Sequence, residues 1–292
     1  MTTKKCFLHI GTHKTGTTAL QAWLSDNERQ LQDRGVLYPK AGRPVACGGQ
    51  HNIAWELNGD PRFNPVHGTL EKLTIEMRNS SSQFVVLSSE DFEYLYTCHD
   101  ALERIKATIE AAGFQIEILI CFREQKEYAG SLYRELLKHG LSTSYRSFLR
   151  DIFKSGRYTM NGIWRFCFAY EELVQTFEKV FGRSQLHVMT YSSSHMLENF
   201  LACCGLSDLA AELPPISRQN ESLSVIKTLA LYRTNLILSR KSISEPDRVK
   251  ARNAIIAASL VWGDSKPPPL ECRQPPRRHQ KERLRVVFPC GF

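Results

Sequence analysis

The sequence feature that most constrains this chain is a strand-loop-helix pattern within its first 25 residues. An apolar run at residues 6–10 is followed by the loop Gly-Thr-His-Lys-Thr-Gly at residues 11–16, and helix-favouring sequence begins at Thr17. The two glycines allow a tight turn, and the free N–H groups and the dipole at the start of a helix favour an anion there. The pattern therefore predicts a phosphate-binding loop between a strand and a helix.

The position of the lysine distinguishes this loop from a nucleoside-triphosphate loop. The spacing of Gly11, Gly16 and Thr18 is that of such a loop, but Thr17 occupies the position of its lysine, and Lys14 lies three residues earlier. In triphosphate enzymes that lysine contacts the β- and γ-phosphates, and the next hydroxyl binds magnesium. We therefore expect a phosphate site without this metal arrangement; the alternative interpretation is an ordinary strand-to-helix turn.

A second pattern follows a predicted strand at residues 115–122. Arg123 comes directly after this strand, and Ser131 lies eight residues later in a helical segment. A guanidinium can bind a phosphate through two hydrogen bonds, and a serine hydroxyl can add a third. The pair suits a terminal phosphate, although a surface ion pair for Arg123 and a neutral helix position for Ser131 are the alternatives.

The two patterns together resemble those of sulfotransferases that use 3′-phosphoadenosine 5′-phosphosulfate (PAPS). The Lys-Thr-Gly-Thr-Thr run at residues 14–18 resembles their 5′-phosphosulfate loop, and the Arg123–Ser131 pair resembles their 3′-phosphate element. The resemblance spans roughly residues 5–240 and is specific only at these two motifs. It implies a three-layer α/β fold of the P-loop type, with a central parallel sheet flanked by helices. The implied activity is transfer of a sulfuryl group to a hydroxyl or amine.

The resemblance also implies the residues that bind the donor and leave adenosine 3′,5′-bisphosphate (PAP). Lys14 would neutralise the leaving 5′-phosphate. A late loop near Arg218 would close the nucleotide site, unless Asn220 or Ser222 there simply caps a helix. The predicted donor-binding residues are Thr12, His13, Lys14, Thr15, Gly16, Thr17, Thr18, Arg123, Ser131 and Arg218.

The predicted catalytic residues are Lys14, Glu90 and His51. Glu90 follows the predicted strand at residues 83–89, which resembles the place where the family keeps its catalytic histidine or glutamate. We therefore favour Glu90 as the base that deprotonates the acceptor. His51 and His13 are the alternative bases, and a helix-capping role is the alternative for Glu90.

Alternation of predicted strands and helices indicates a parallel sheet covered on both faces, with the site at the carboxyl ends of its strands. The remaining predicted strand covers residues 185–191. Predicted helices cover residues 17–33, 51–57, 66–78, 100–112, 124–139, 163–181, 196–204, 224–240 and 245–262.

Length, composition and charge lead to predictions about domains, partners and cysteines. The 292 residues are expected to form one domain over residues 1–263 and a disordered, basic, proline-rich tail over residues 264–292, to which we assign no function. The tail carries +4 of the net charge of +8, so the body is mildly basic; this suits an anionic donor better than a nucleic-acid partner. The nine cysteines contain no Cys-x-x-Cys pair, which favours reduced thiols without metal.

Apolar stretches are too short to span a membrane, and the first residues lack a signal-peptide plan, so a cytoplasmic enzyme is expected. The open, polar region at residues 40–65 favours a carbohydrate acceptor, with other hydroxyl-bearing acceptors left open. Two other functions also remain open. One is a P-loop nucleotide or sugar kinase, which Thr17 disfavours, and the other is a nucleotide-binding module without catalysis.

Overall fold

The computed structural model describes residues 3–45, 47–215 and 223–258. The strands are β1 (Lys5–His9), β2 (Val36–Leu37), β3 (Phe84–Ser88), β4 (Gln115–Phe122), β5 (Arg157–Met160), β6 (Trp164–Cys167) and β7 (Leu186–Thr190). The helices up to the middle of the chain are α1 (Thr17–Asp26), α2 (Glu28–Asp33), α3 (His51–Asn58), α4 (Leu70–Arg78), α5 (His99–Ala111) and α6 (Gln125–Lys138). The later helices are α7 (Tyr145–Ser155), α8 (Tyr170–Phe181), α9 (Met196–Cys203), α10 (Asp208–Glu212), α11 (Val225–Ser239) and α12 (Glu245–Ala257). Short 3₁₀ segments cover Pro65–His67, Glu90–Thr97 and Arg183–Gln185.

The central sheet has five parallel strands in the order β2-β3-β1-β4-β7. Strand β1 lies in the middle, where His9 is level with Ser88 of β3 and Leu119 of β4. The chain passes from β1 to β3 on one side and later to β4 on the other, so β1 adjoins a topological switch point. Segments after β1, β3 and β4 therefore meet at one edge of the sheet.

Helices cover both faces of this sheet. On one face, Phe7 and Val86 share a buried apolar cluster with Trp23 of α1 and Phe200 of α9. Helices α5 and α8 contact β4 and cover the other face, to which alternate side chains such as the buried Leu8 point. The predicted fold class, a three-layer α/β arrangement with a central parallel sheet, is confirmed.

The predicted helix at residues 163–181 is wrong in its first part. Strand β6 covers Trp164–Cys167 and pairs antiparallel with β5, and helix α8 begins only at Tyr170. Aromatic residues and the Asn161-Gly162 dipeptide favour a hairpin here, and this local signal outweighs the helical periodicity.

Two other predicted helices are interrupted. The segment predicted at residues 17–33 forms α1 and α2, separated at Asn27, whose side-chain amide donates to the carbonyl of Trp23 at 2.8 Å. The segment predicted at residues 66–78 begins with a 3₁₀ turn, and α4 starts after Thr69, whose hydroxyl caps the helix by accepting from the N–H of Lys72. Local side-chain hydrogen bonds to the backbone therefore set these boundaries.

The described residues group into two units, one of residues 3–136 and 143–215 and one of residues 137–142 and 223–258. In the second unit, the Asn235 side chain of α11 donates to the carbonyls of Leu137 and Leu141 at 2.7 and 3.0 Å. The single domain expected over residues 1–263 stays a prediction, and the tail at residues 264–292 lies outside the described residues. Within the described ranges, no helix is both long enough and apolar enough to cross a membrane.

Candidate active site

The loop between β1 and α1 requires unusual backbone angles. Gly16, which precedes α1, has φ 79° and lies in the left-handed region. Gly11 has φ 22°, and a Cβ atom there would lie 2.9 Å from Cγ2 of Thr17 and 3.1 Å from Nε2 of His9. Lys14 also adopts a left-handed conformation, with φ 67°. The two glycines are therefore needed for the turn, as the sequence predicted.

Two threonines of the loop use their hydroxyls to hold its backbone. The N–H and the hydroxyl of Thr12 both donate to the carbonyl of Cys121 on β4, at 3.0 Å each. The hydroxyl of Thr15 donates to the carbonyl of Thr12 at 2.5 Å. Both side chains are buried, so their visible role is to fix the loop against the sheet. Their predicted contact with a donor stays a prediction.

Backbone N–H groups at the start of α1 are free to bind an anion. Across the described part of the chain, the N–H groups of residues 14–18 donate to no acceptor. Thr18 is exposed in the first turn of the helix, whereas Thr17 is buried. Unpaired amides at a helix start, together with the helix dipole, form an anion site. This geometry agrees with the predicted phosphate loop.

Lys14 and Arg123, which the sequence assigned to different phosphates, come together at this loop. Nη1 of Arg123 donates to the carbonyl of Lys14 at 3.2 Å. Both cations also pair with carboxylates of α6: Nζ of Lys14 lies 2.9 Å from Glu135, and Nε of Arg123 lies 3.2 Å from Glu127. The Arg123 guanidinium lies over the ring of Tyr191, 5.2 Å from its centre. A second cation therefore adjoins the free amides.

Helix α6 adds two polar groups near Arg123. The pKa of Arg134 is lowered by burial and by the positive charge of Arg123, so the two guanidinium groups are close enough for their charges to interact. Ser131, three residues before Arg134, is half-buried, and its hydroxyl has no hydrogen-bond partner among the described residues. Clustered guanidinium groups favour a bound anion. Arg218, also predicted to bind the donor, lies outside the described residues.

An acidic side chain that the sequence analysis did not select, Asp91, links the predicted histidines. Its carboxylate lies 3.4 Å from Nε2 of His13 and 3.5 Å from Nδ1 of His51. It also accepts a hydrogen bond from the indole of Trp55 at 2.5 Å, and lies 3.7 Å from Nη2 of Arg62. Asp91 is buried, and these partners compensate its charge.

His13 is held as an imidazolium within this cluster. Its Nδ1 and its backbone N–H donate to Glu93 at 2.9 and 3.2 Å, and its Nε2 lies 3.0 Å from the hydroxyl of Tyr94. Burial lowers the pKa of His13, but the hydrogen bonds and charges of Asp91 and Glu93 outweigh burial and raise it to about 10. Glu93 also accepts from the N–H of Cys167 at 2.6 Å, and so connects the loop to β6.

The pKa values of His51 and Glu90 shift in opposite directions. Burial lowers the pKa of His51, but Asp91 and Glu90 outweigh it, so the net shift is upward. Burial raises the pKa of Glu90, but the positive charges of His51 and His13 outweigh it, so the net shift is downward. The pKa of Asp91 is also lowered, because hydrogen bonds from both histidines outweigh burial. The lowered pKa keeps Glu90 ionised and able to accept a proton at neutral pH, whereas the raised pKa makes the neutral form of His51 less available.

Several residues of this site were not selected from the sequence: Gln21, Asp91, Glu93, Arg134 and Glu135. The run of three acidic residues at positions 90, 91 and 93, directly after a buried strand, was a visible signal. Gln21 carried no comparable signal, because its polar partners lie 67 and 69 residues away in the chain.

Comparison with solved structures gives a distant likeness. Neither a known protein-family profile nor a curated protein matches this chain. Among solved structures, the chain is similar to a crystal structure of a sulfotransferase from Alicyclobacillus acidocaldarius, with a TM-score of 0.46 and 16% sequence identity. The match covers 85% of this chain and 95% of that one. A likeness of this extent does not establish a family.

Proposed function

We propose that this chain is a cytoplasmic sulfotransferase that moves a sulfuryl group from PAPS to an acceptor hydroxyl, with carbohydrates as the acceptor class. The observation that carries the proposal is the 3.2 Å hydrogen bond from Arg123 to the carbonyl of Lys14, beside the free amides of residues 14–18. Two anion-binding groups therefore adjoin each other, as a nucleotide with two separate phosphate groups requires. The motif resemblance supplies the identity of that nucleotide.

The residues present suit both phosphate groups of such a donor. The loop amides, Lys14 and exposed Thr18 would hold the 5′-phosphosulfate, while Arg123 and Ser131 would hold the 3′-phosphate. Lys14 would then exchange Glu135 for the ligand, at small cost because both side chains of this ion pair are about 30% exposed. Thr17 in place of a lysine counts against a triphosphate kinase.

Chemistry at the site would be an in-line displacement. The acceptor oxygen forms a bond to sulfur while the bond from sulfur to the bridging phosphate oxygen breaks, and the electron pair of that bond stays on the phosphate. Lys14 would neutralise this developing charge, and Glu90 would take the proton of the acceptor hydroxyl.

Calorimetry with three nucleotides tests the proposal. PAP, 5′-AMP and magnesium-ATP are titrated into the whole protein. We expect PAP to bind without metal and about 10- to 100-fold more tightly than 5′-AMP, because the 3′-phosphate gains charged hydrogen bonds from Arg123 and Ser131. Arg123→Gln should reduce the affinity for PAP to nearly that for 5′-AMP. Lys14→Met should weaken the binding of both PAP and 5′-AMP.

The matched control is Lys126→Met, which removes an exposed lysine from the start of α6 and should leave all three affinities unchanged. Preference for magnesium-ATP over PAP would overturn the proposal in favour of a kinase. Equal affinities for PAP and 5′-AMP would overturn the assignment of the 3′-phosphate site.

A further inference from the structure

A buried glutamine connects the helix of the phosphate loop to the predicted base. Gln21 lies one turn into α1 and is 3% exposed. Its side-chain amide donates to Oε2 of Glu90 at 3.0 Å and lies 3.4 Å from the hydroxyl of Ser88 at the end of β3. The helix whose first amides face the anion site therefore also contacts the carboxylate of Glu90, which follows β3.

Close packing prevents this amide from turning away. A Cβ atom at Gly49 would lie 2.6 Å from Cδ of Gln21, 2.7 Å from its Nε2 and 2.5 Å from the carbonyl oxygen of Ser88. A Cβ atom at Gly48 would lie 2.9 Å from the backbone of Gln21. The absence of side chains at both glycines lets the segment lie directly against the amide, which restricts its rotamers.

We propose that Gln21 is a positioning residue for Glu90: its amide fixes the carboxylate by binding Oε2 and leaves Oε1 to take the acceptor's proton. The inference rests on the proposed function, because it takes Glu90 as the base. A rigid helix then sets the distance between the bound phosphosulfate and the base, since residues 17–18 and Gln21 belong to the same helix. Such fixed geometry is what an in-line transfer needs.

Glu90 has many charged or titratable neighbours, and Gln21 differs from them because its amide donor does not titrate. A hydrogen bond to the ionised carboxylate favours that form and lowers its pKa. The titratable groups whose charges interact with Glu90 are His9 on β1, His13 in the loop, Tyr38 and Cys47 after β2, His51 on α3, and Asp91 and Tyr94 in the segment after β3.

Titration of Glu90 by NMR tests the proposal without any acceptor. The protein is labelled with ¹³C at glutamate side-chain carboxyls, and Glu90→Gln identifies the signal. We expect Gln21→Leu to raise the pKa of Glu90 by about one pH unit, since a hydrogen bond to a charged group is lost. Ser88→Ala, the matched control, removes a buried hydroxyl from the same network but keeps the amide-carboxylate contact, and should change this pKa much less.

Affinity for PAP separates failure of this inference from failure of the proposed function. If Gln21→Leu still binds PAP but the pKa of Glu90 is unchanged, only the role of Gln21 is overturned. A wild-type protein that does not bind PAP would overturn the proposed function.

Should Gln21→Leu fail to fold, the wild-type protein supplies the decisive measurement. In ¹⁵N–¹H spectra the side-chain amide of Gln21 should shift at the pH where the carboxyl signal of Glu90 titrates. A Gln21 amide that does not respond to this titration would overturn the proposal.

Discussion

At the scale of single residues, the directions of two pKa shifts distinguish the two candidate bases that the sequence left open. Glu90 and His51 both interact electrostatically with Asp91. The net effect lowers the pKa of Glu90 and raises that of His51. A base must be unprotonated at working pH, so the directions of these two shifts favour Glu90 over His51 as the base.

Glu90→Gln should reduce sulfuryl transfer at least about 100-fold, because the amide cannot accept the acceptor's proton. Transfer is measured with labelled PAPS and a panel of glycans. Binding of PAP should persist, since among the described residues the Glu90 side chain makes no hydrogen bond to residues 11–18. Exposed Glu110→Gln serves as the control and should have no effect. Full turnover in Glu90→Gln would instead return the assignment to His51.

Residue positions in the loop were predictable because their roles are local. The turn that contains Gly11 and Gly16 is what requires them. At Gly11, for example, a Cβ atom would lie 2.9 Å from Thr17, only six residues further along the chain. Asp91 and Glu93 could not be assigned in the same way, because the groups that explain them lie on other elements. Glu93, for example, binds His13 and Cys167, 80 and 74 residues away.

At the scale of elements, the glycine pair at residues 48–49 joins α1 to β3. The next residue continues this contact: the N–H of Gln50 donates to the carbonyl of Ser88 at 2.9 Å, and its side-chain oxygen accepts from the N–H of Ser88 at 2.8 Å. The irregular segment after β2 therefore binds the end of β3 beside the candidate site, although it does not form a strand there.

Gly49→Ala should destabilise the protein by about 1–3 kcal/mol, because the new methyl group would overlap Gln21 and the Ser88 carbonyl. Gly130→Ala is the matched control. Its methyl group would lie 3.6 Å from Arg134 and 3.9 Å from Tyr145, and alanine in a helix should stabilise by about 0.5–1 kcal/mol. Urea unfolding of both variants measures the two changes. The same sign for both would contradict this account of the segment.

Among the elements, the longer strands and helices that alternate along the chain were predicted well, whereas the hairpin of β5 and β6 was not. Strand β4 was predicted with its observed limits because its eight residues include Ile116, Ile118, Ile120 and Phe122, which favour strands. Strand β6 contains four residues, too few for its period to compete with the helix that follows. Its stability comes from pairing with β5 and from the hydrogen bond of Cys167 to Glu93, which are tertiary contacts.

At the scale of the whole molecule, the buried ionic cluster makes stability depend on pH in both directions. Raised pKa values of His13 and His51 stabilise the fold below their ordinary value of 6.5, and this contribution is lost as the pH rises through about 10 for His13. Lowered pKa values of Asp91 and Glu90 stabilise the fold above their ordinary values, and this contribution is lost in acid. Stability from this cluster is therefore greatest near pH 5–6.5.

Unfolding in urea between pH 6.5 and 10 should show this dependence. We expect the free energy of unfolding to fall by up to about 1.4 kcal/mol per pH unit for the proton on His13. His13→Gln should flatten the slope, while exposed His99→Gln should keep it. A wild-type profile without an alkaline decline, or one unchanged in His13→Gln, would contradict the charged state assigned to His13.

Position 14 has to meet two physical requirements, one of backbone conformation and one of charge. Its φ of 67° belongs to the left-handed region, which a lysine adopts at a cost and a glycine or asparagine adopts readily. The ammonium group is nevertheless the part of the loop assigned to the leaving phosphate. A lysine at position 14 therefore combines a backbone cost with the positive charge that the proposed function needs there.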